Sequence, residues 1–517
     1  MKTATRVFKI SFSLAAAFLV WGAAAPTQLA TVTAAIQRWL LDAFGWFYLL
    51  CAVGLLVMAV TLIFSRYGDI PLGKDGEKPE FPLVTWFAML FCAGMGIGLV
   101  FWGVAEPIAH FYDPPRGVGE TPEAASLALQ YSFFHWGLHP WGIYTMVAMS
   151  LAYFQFRKGK PGLFSASCEP ILGERAKGPI GQVIDIIAVF ATVFGVATSL
   201  GFGAIQISGG VSYLFALSNT VILQLVMIAA VTVLYILSAQ TGLHRGIKYL
   251  SNLNMVLAVS LMGFLLFLGP TKFIMDVFTS ALGEYLQNLP TMSLYLAPFD
   301  DSRWIQDWTL FYWAWWIAWA PFVGTFIARI SRGRTVREFV LGVLFVPTLF
   351  CAFWFSVFGG TAISLDMFEQ VGMKQVIEAQ GKEVALFTLL EHFPFGEIMS
   401  LIAILLIATF FITSADSATF VLGTLTSNGN LNPPNAIKFT WGIIQSVVAA
   451  VLLWSGGLKG LQMGSILAAF PFAVIMLLLM ASLFRSFREE VGSQAPPRAG
   501  THSLRSGQAP ALPNGGA

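Results

Sequence analysis

Three groups of side chains in this sequence have the types and spacing to do chemistry. Tyr312, Trp315, Trp316 and Trp319 recur at helical spacing and fall within about 100° of one another around a helix. Upstream, Trp136, Trp141 and Tyr144 cover an arc of about 140°, with Pro140 expected to bend the helix between them. Rings at that density can hold a methylated ammonium, which donates no hydrogen bond and is attracted to ring faces. Each such contact contributes roughly 0.5–2 kcal/mol, so several are required. The ordinary place for Trp and Tyr in a membrane protein is the lipid–water interface. That accounts for Trp21, Trp39, Trp46 and Trp86, near the ends of apolar runs, but not for Trp315, Trp316 and Trp319, which lie well inside one.

The second group is Gly94-Met95-Gly96-Ile97-Gly98. Each glycine lowers helix propensity by about 1 kcal/mol relative to alanine. Gly94 and Gly98 also fit the small-residue groove that packs membrane helices. Glu106-Pro107 follows, and the glycine density favours an unwound segment, whose amides would receive a carboxylate and whose carbonyls a cation. The third group is Phe410 to Ser417, where Thr413 and Ser414 with main-chain carbonyls offer hard oxygen ligands to an alkali cation. Such hydroxyls often bond back to the preceding turn instead. Asp416 beside them tips the reading to function, because a carboxylate inside a membrane span is costly. Glu106, Asp185, Glu169 and Arg329 read as ion-pair or cap residues. His135 and His139 sit one turn apart without a third metal ligand, and are expected to donate to backbone carbonyls.

The elements that must position these groups are membrane helices. Of 517 residues, 56% are hydrophobic and 11% charged, where a soluble domain carries about a quarter charged. Runs long enough to cross a bilayer recur near 8–29, 45–65, 83–110, 126–154, 181–203, 220–239, 250–269, 304–328, 338–361, 396–424, 437–455 and 462–484. Weaker stretches at 273–290 and 383–393 read as amphipathic helices at the membrane surface. The first run resembles a cleavable leader. With twelve spans and both termini inside, however, most of the 29 Lys and Arg fall on the inner face, so it is read as a helix. The basic cluster Arg329, Arg332, Arg334 and Arg337 then anchors topology. The cysteines Cys51, Cys92, Cys168 and Cys351 have no disulfide or metal spacing and read as buried free thiols.

No phosphate-binding loop is present, which excludes an ATP-driven pump. The chain is therefore read as a secondary transporter and not an enzyme, driven by an ion gradient or by exchange. The net charge of +2 gives no reason to expect a nucleic-acid partner. Interrupted spans at the third and eighth positions, each opening a set of five, predict two halves of opposite topology around a midplane site. The expected organisation is two N-terminal helices over 1–82, a first repeat over 83–270 and an interfacial amphipathic helix over 271–303. A second repeat follows over 304–484, then a disordered tail over 485–517.

Three stretches carry a family likeness: Gly94 to Pro107, His135 to Tyr144, and Tyr312 to Gly324 continuing into Ala328 to Arg334. On these the chain resembles the betaine/choline/carnitine transporter family, from the second span to the twelfth. The resemblance implies an all-α polytopic fold with a five-plus-five inverted repeat of the leucine-transporter type after two extra helices. It also implies a homotrimer in the cell membrane. By motif position the substrate box would be Trp136, Trp141, Tyr144 and Trp316, with Trp315 and Trp319 lining the pathway. Ser199, Met95, Gly94, Gly96 and Gly98 would lie close by, and Phe101 and Phe311 would stand at gates. Sodium, the coupling ion and only implied cofactor, would bind main-chain oxygens of Cys92, Met95 and Phe410 and the hydroxyls of Thr413 and Ser414. A second sodium would use Thr192 and Phe322, but Val196 replaces the second hydroxyl of that site. The tail lacks the long basic helix of osmosensing members. Sodium–betaine symport is the leading expectation. A sodium-independent carnitine exchanger, a proton-driven choline importer, and a quaternary-ammonium sensor or channel are the alternatives. Glycine betaine, choline, carnitine, ectoine and a sulfonium analogue all suit such a box.

Overall fold

The computed structural model describes residues 5–94, 96–240, 244–299 and 302–494. Among these there is no β-strand, only one isolated bridge between Pro71 and Thr335. The helices begin with α1 (Arg6–Ala24) and α2 (Pro26–Phe64). The Thr5 hydroxyl caps α1 by accepting from Phe8 N–H at 3.0 Å, and also donates to the Thr426 carbonyl at 2.7 Å. Phe8 meets Trp441 edge-on, so the leader-like segment packs into the body of the protein.

Next come α3 (Leu83–Gly94) and α4 (Ile97–Tyr112), separated where Gly96 is extended (φ −147°, ψ −162°). α5 (Pro122–Trp136) and α6 (Leu138–Ala152) are separated in turn at Gly137 (φ −100°, ψ −128°). The second break falls three residues before Pro140, where a bend was expected. A Cβ at Gly137 would meet the Phe133 carbonyl oxygen at 2.4 Å and the Tyr285 hydroxyl at 2.9 Å, so only glycine fits. The missing N–H of Pro140 leaves no helical bond there to lose, and the Leu138 N–H donates to Tyr285 at 3.0 Å instead.

α7 (Pro179–Phe215) is the central post, packed along α14 (Asn435–Gln494), which is two helical stretches joined at a kink. Between them in sequence lie α8 (Val221–Gln240), α9 (His244–Leu268), α10 (Thr271–Ser293), α11 (Phe311–Ile330), α12 (Val336–Phe355) and α13 (Gly396–Leu425). α11 packs chiefly on α6 and also on α7. Gly195 of α7 lies so close to Ala318 and Trp319 that a Cβ would meet the Ala318 carbonyl at 2.9 Å. α14 is broken at Gly457 (φ 57°, ψ −142°), between the runs expected at 437–455 and 462–484.

Eight helices among the described residues are long and apolar enough to cross a membrane by length and composition. The run expected at 83–110 is cut by the break at Gly96 and that at 126–154 by the break at Gly137, while the last two runs fall on either side of the kink at Gly457 in α14.

Several expectations need correction. The helix expected over 271–303 ends at Ser293. The 383–393 stretch is no surface helix: Ala385–Glu391 buries every residue from Ala385 to Leu390, because its apolar side chains face the protein on all sides. Residues 485–494, expected to be disordered, continue α14. Phe487 is buried and stacked on Tyr67, and Glu490 bonds Arg157, Lys158 and Tyr153, which dock that turn. Trp86 is fully buried rather than interfacial, with Arg334 over its ring at 4.0 Å and its N–H on Ser331 at 2.9 Å. Cys51, Cys168 and Cys351 are buried free thiols.

Candidate functional site

The aromatic residues of α5, α6 and α11 converge in the core. Trp136 and Trp316 lie 4.8 Å apart at 73°, Tyr144 and Trp316 6.2 Å apart at 78°, and Trp141 and Tyr144 5.6 Å apart at 82°. Successive rings therefore stand like walls meeting at corners. Trp315 stacks on Trp316 at 4.7 Å and 15°, and Trp319 lies 6.5 Å beyond. All six residues are buried. The glycine run has a packing cause: a Cβ at Gly98 would meet the Trp315 ring at 2.6 Å and the Trp136 ring at 3.1 Å. Among the described residues, the indole N–H groups of Trp315 and Trp319 and the hydroxyls of Tyr144 and Ser199 are buried without a hydrogen-bond partner. Unmet donors beside ring faces suit a ligand with a cationic head and an acceptor group.

Glu106 is the hub behind this wall. Its Oε2 accepts from Trp136 Nε1 at 2.8 Å and from the Tyr312 hydroxyl. Its Oε1 lies 2.7 Å from His135 Nδ1 and 3.3 Å from His110 Nε2. The other nitrogen of His135 meets the Thr309 hydroxyl at 2.9 Å. Donation of Nδ1–H to the carboxylate makes His135 Nε2 the acceptor from Thr309. Trp316 Nε1 then donates to the His135 carbonyl at 2.9 Å, beside the break at Gly137. One carboxylate thus fixes the ring angles of Trp136, Tyr312 and, through His135, Trp316.

Glu106 fits the scaffold role read from sequence, whereas His135 binds side chains and not backbone carbonyls. His139 stacks on Trp313 at 5.1 Å with no partner for either ring nitrogen among the described residues. Glu106, His110 and His135 could supply three metal ligands. The 2.7 Å between Oε1 and Nδ1 is hydrogen-bond spacing, however, and too close for two atoms around one zinc.

Of the residues expected from sequence to hold an ion, those of α13 lie against the start of α4. A Cβ at Gly96 would stand 3.7 Å from Trp319 and 4.0 Å from Ser414 Oγ. Thr413 Oγ1 donates to the carbonyls of Thr409 at 3.0 Å and Phe410 at 3.2 Å, and accepts from Asn254 Nδ2 at 3.2 Å. Thr413 and Ser414 are half-buried and Asp416 is buried. Cys92 and Gly94 fall in the last turns of α3, and Met95 lies outside the described residues. Thr192 is fully buried, its hydroxyl donating to Ala188 at 2.8 Å. Phe322 meets Trp319 edge-on at 5.6 Å, and Val196 is buried one turn after Thr192.

Aromatic rings also close one end of the box. Phe311 stacks on Trp315 at 5.7 Å, Phe202 meets Trp315 edge-on at 5.0 Å, and Phe101 stacks on Phe202 at 5.2 Å. Beyond Phe311 lies a cavity of about 380 Å³ whose lining includes Trp102, Trp308 and Lys382. The Lys382 ammonium sits 4.5 Å from the Trp308 ring and 5.5 Å from that of Trp102. Desolvation holds its amine below the ordinary lysine range, opposed by the carboxylates of Glu106 and Asp307. On the opposite, arginine-rich face, the Leu72 N–H donates to the Arg334 carbonyl at 2.7 Å and the Leu72 carbonyl accepts from the Gly333 N–H at 2.9 Å, beside the Pro71–Thr335 bridge.

Sequence reasoning missed Phe202, Asn254, Trp102, Trp308 and Lys382, and did not foresee Glu106 as the hub. A carboxylate in an apolar run was the available signal for Glu106.

A buried aromatic box between packed apolar helices defines a multi-pass membrane transporter. A family model described as "BCCT, betaine/carnitine/choline family transporter" matches residues 6–492, and the chain belongs to that family; it is a transporter and not an enzyme. It is 55% identical over 493 residues to the glycine betaine transporter OpuD of Bacillus subtilis, covering 95% of this chain and 96% of that protein. It is 44% identical over 481 residues to an ectoine/hydroxyectoine transporter of Virgibacillus pantothenticus, covering 93% and 95%. A glycine betaine transporter of Acinetobacter baylyi is 41% identical over 484 residues, covering 93% of this chain and 73% of that protein.

Proposed function

We propose that this chain is a sodium-coupled symporter that carries a betaine-type quaternary ammonium compound, glycine betaine or a close analogue, into the cell. The observation that carries the reading is the set of perpendicular ring walls of Trp136, Trp316, Tyr144 and Trp141, with unmet donors at Tyr144, Trp315 and Trp319. The rings suit the methylated head and the donors suit a carboxylate. Relatives named as glycine betaine transporters support the same substrate class.

Sodium would bind between the end of α3 and α13, with Thr413 and Ser414 as side-chain ligands and carbonyls of Cys92, Met95 and Phe410 as the rest. By tying the broken helix to α13, the ion would pre-form the wall that Gly98 lets Trp315 and Trp136 complete. Each ligand then tightens the other by the same factor. Phe101 and Phe311 would act as gates. The reading includes twelve spans in a five-plus-five inverted repeat after two extra helices, both termini cytoplasmic, the Lys382 face outside, and a homotrimer.

The test is radiolabelled glycine betaine uptake into proteoliposomes with and without an inward sodium gradient. Accumulation that requires sodium is expected. Exchange indifferent to sodium would overturn the coupling, and no uptake of any betaine would overturn the substrate class.

A further inference from the structure

The cavity outside Phe311 is strongly basic. Among its described lining residues Arg38, Arg303, Lys382 and Lys459 face one carboxylate, Asp307. Arg303 pairs with Asp42 at 3.1 Å. Arg38, Lys382 and Lys459 have no ion pair among the described residues. The floor is aromatic: Trp102 and Trp308 meet edge-on at 5.5 Å, and the Lys382 ammonium rests on both. Trp308 in turn stacks on Tyr312, which is stacked on Trp316 of the box. The protein's own cation therefore occupies ring faces of the kind that would attract a substrate's ammonium on its way in.

We propose that Lys382, backed by Lys459 and Arg38, is a specificity-determining residue that admits zwitterionic ammonium compounds and rejects net cations before they reach the box. An entrant must displace the Lys382 ammonium from Trp308 and Trp102. A betaine brings a carboxylate that can receive the displaced ammonium, so the exchange conserves charge pairing. An ammonium alcohol such as choline brings a cation into an already positive cavity with no anion in return. In a narrow, low-dielectric vestibule that difference is felt as local concentration, by factors of roughly 10 or more. The selectivity claim rests on the betaine-transport reading, whereas the vestibule field does not.

Two measurements on the full-length protein test the proposal. In the first, Gln462→Cys, which puts a thiol in the cavity lining, is treated with anionic and cationic methanethiosulfonates. The anionic reagent should react at least about fivefold faster, relative to the same pair on a free thiol, and Lys382→Glu should abolish that preference. Equal rates would overturn the positive field. The second measures inhibition of glycine betaine uptake by choline in native protein, Lys382→Met and Lys382→Arg. The choline-to-betaine ratio of inhibition constants should fall at least about fivefold in the Met variant and hold in the Arg variant, which also checks folding. A ratio unchanged in the Met variant would place selectivity elsewhere and overturn the proposal. Failure of native protein to take up any betaine would count against the substrate reading alone, with the thiol reaction still deciding the vestibule.

Discussion

The aromatic box and the proposed ion site lie within one helix diameter of each other, joined through Trp319 and Gly96, yet they are built on opposite principles. In the box, polar groups reach across elements: Glu106 on α4 bonds Trp136 on α5 and Tyr312 on α11, and Trp316 bonds the carbonyl of His135. At the ion site, Thr413 donates to the carbonyls of its own preceding turn, and among the described residues only Asn254 bonds it from another helix. The first arrangement fixes ring angles through side-chain bonds between helices. In the second, back-bonding satisfies the hydroxyl proton and leaves oxygen lone pairs, with neighbouring carbonyls, as the means of holding a cation. A rigid wall beside a backbone-built joint lets one ligand bind by shape while the other decides whether the helices meet.

That contrast can be broken most forcefully at Glu106. Glu106→Leu would leave four buried donors without their acceptor, each costing about 1–3 kcal/mol. The expected result is loss of folded, monodisperse protein in detergent. Glu106→Gln keeps one acceptor oxygen but turns an N–H toward donors, so the fold should survive with betaine affinity lowered by about tenfold or more, read by tryptophan fluorescence titration. A Gln variant that binds like the native protein would mean the ring wall holds itself in place. Trp316→Leu should act next most strongly. It removes one ring contact worth roughly 1–2 kcal/mol, which is a five- to thirtyfold loss of affinity, at unchanged membrane abundance. Unchanged affinity would take Trp316 out of the box.

Much of this arrangement was legible because aromatic residues at helical spacing inside apolar runs have few structural uses. The helical spacing of Tyr312, Trp315, Trp316 and Trp319 puts one stripe on α11, and the structure sets that stripe against Trp136 and Tyr144. The break in the fourth run was misplaced, since proline was the visible signal. What decides it is the clash a side chain at position 137 would make with Phe133 and Tyr285, and Tyr285 comes from 148 residues away. Distance in sequence also hid Lys382, which reads as an ordinary loop lysine until folding brings it over Trp102 and Trp308. The helical end of α14 was missed for the same reason, because its anchors, Tyr153, Arg157 and Lys158, belong to another part of the chain. Local pattern carried the faces, and tertiary partners carried the breaks, the hub and the vestibule.

The finest cut between the two regions comes from two threonines that each donate to a carbonyl of their own helix. Thr413 is half-buried beside the break at Gly96, with Ser414 adjoining it and the Phe410 carbonyl in hydrogen-bond reach. Thr192 is fully buried, donates to Ala188, and has Val196 where a second hydroxyl would complete a site. Thr413→Val removes an oxygen while keeping the shape. It should raise the sodium concentration for half-maximal uptake by about tenfold, the worth of one polar ligand, with betaine affinity returning at saturating sodium as reciprocal linkage requires. Thr192→Val should shift it less than about twofold, since Val196 stands where a second hydroxyl would be needed to complete a site there. Sodium titration of uptake in proteoliposomes reads both. Equal shifts would mean that a second ion binds at Thr192 despite Val196, and no shift in either would return both hydroxyls to the scaffold.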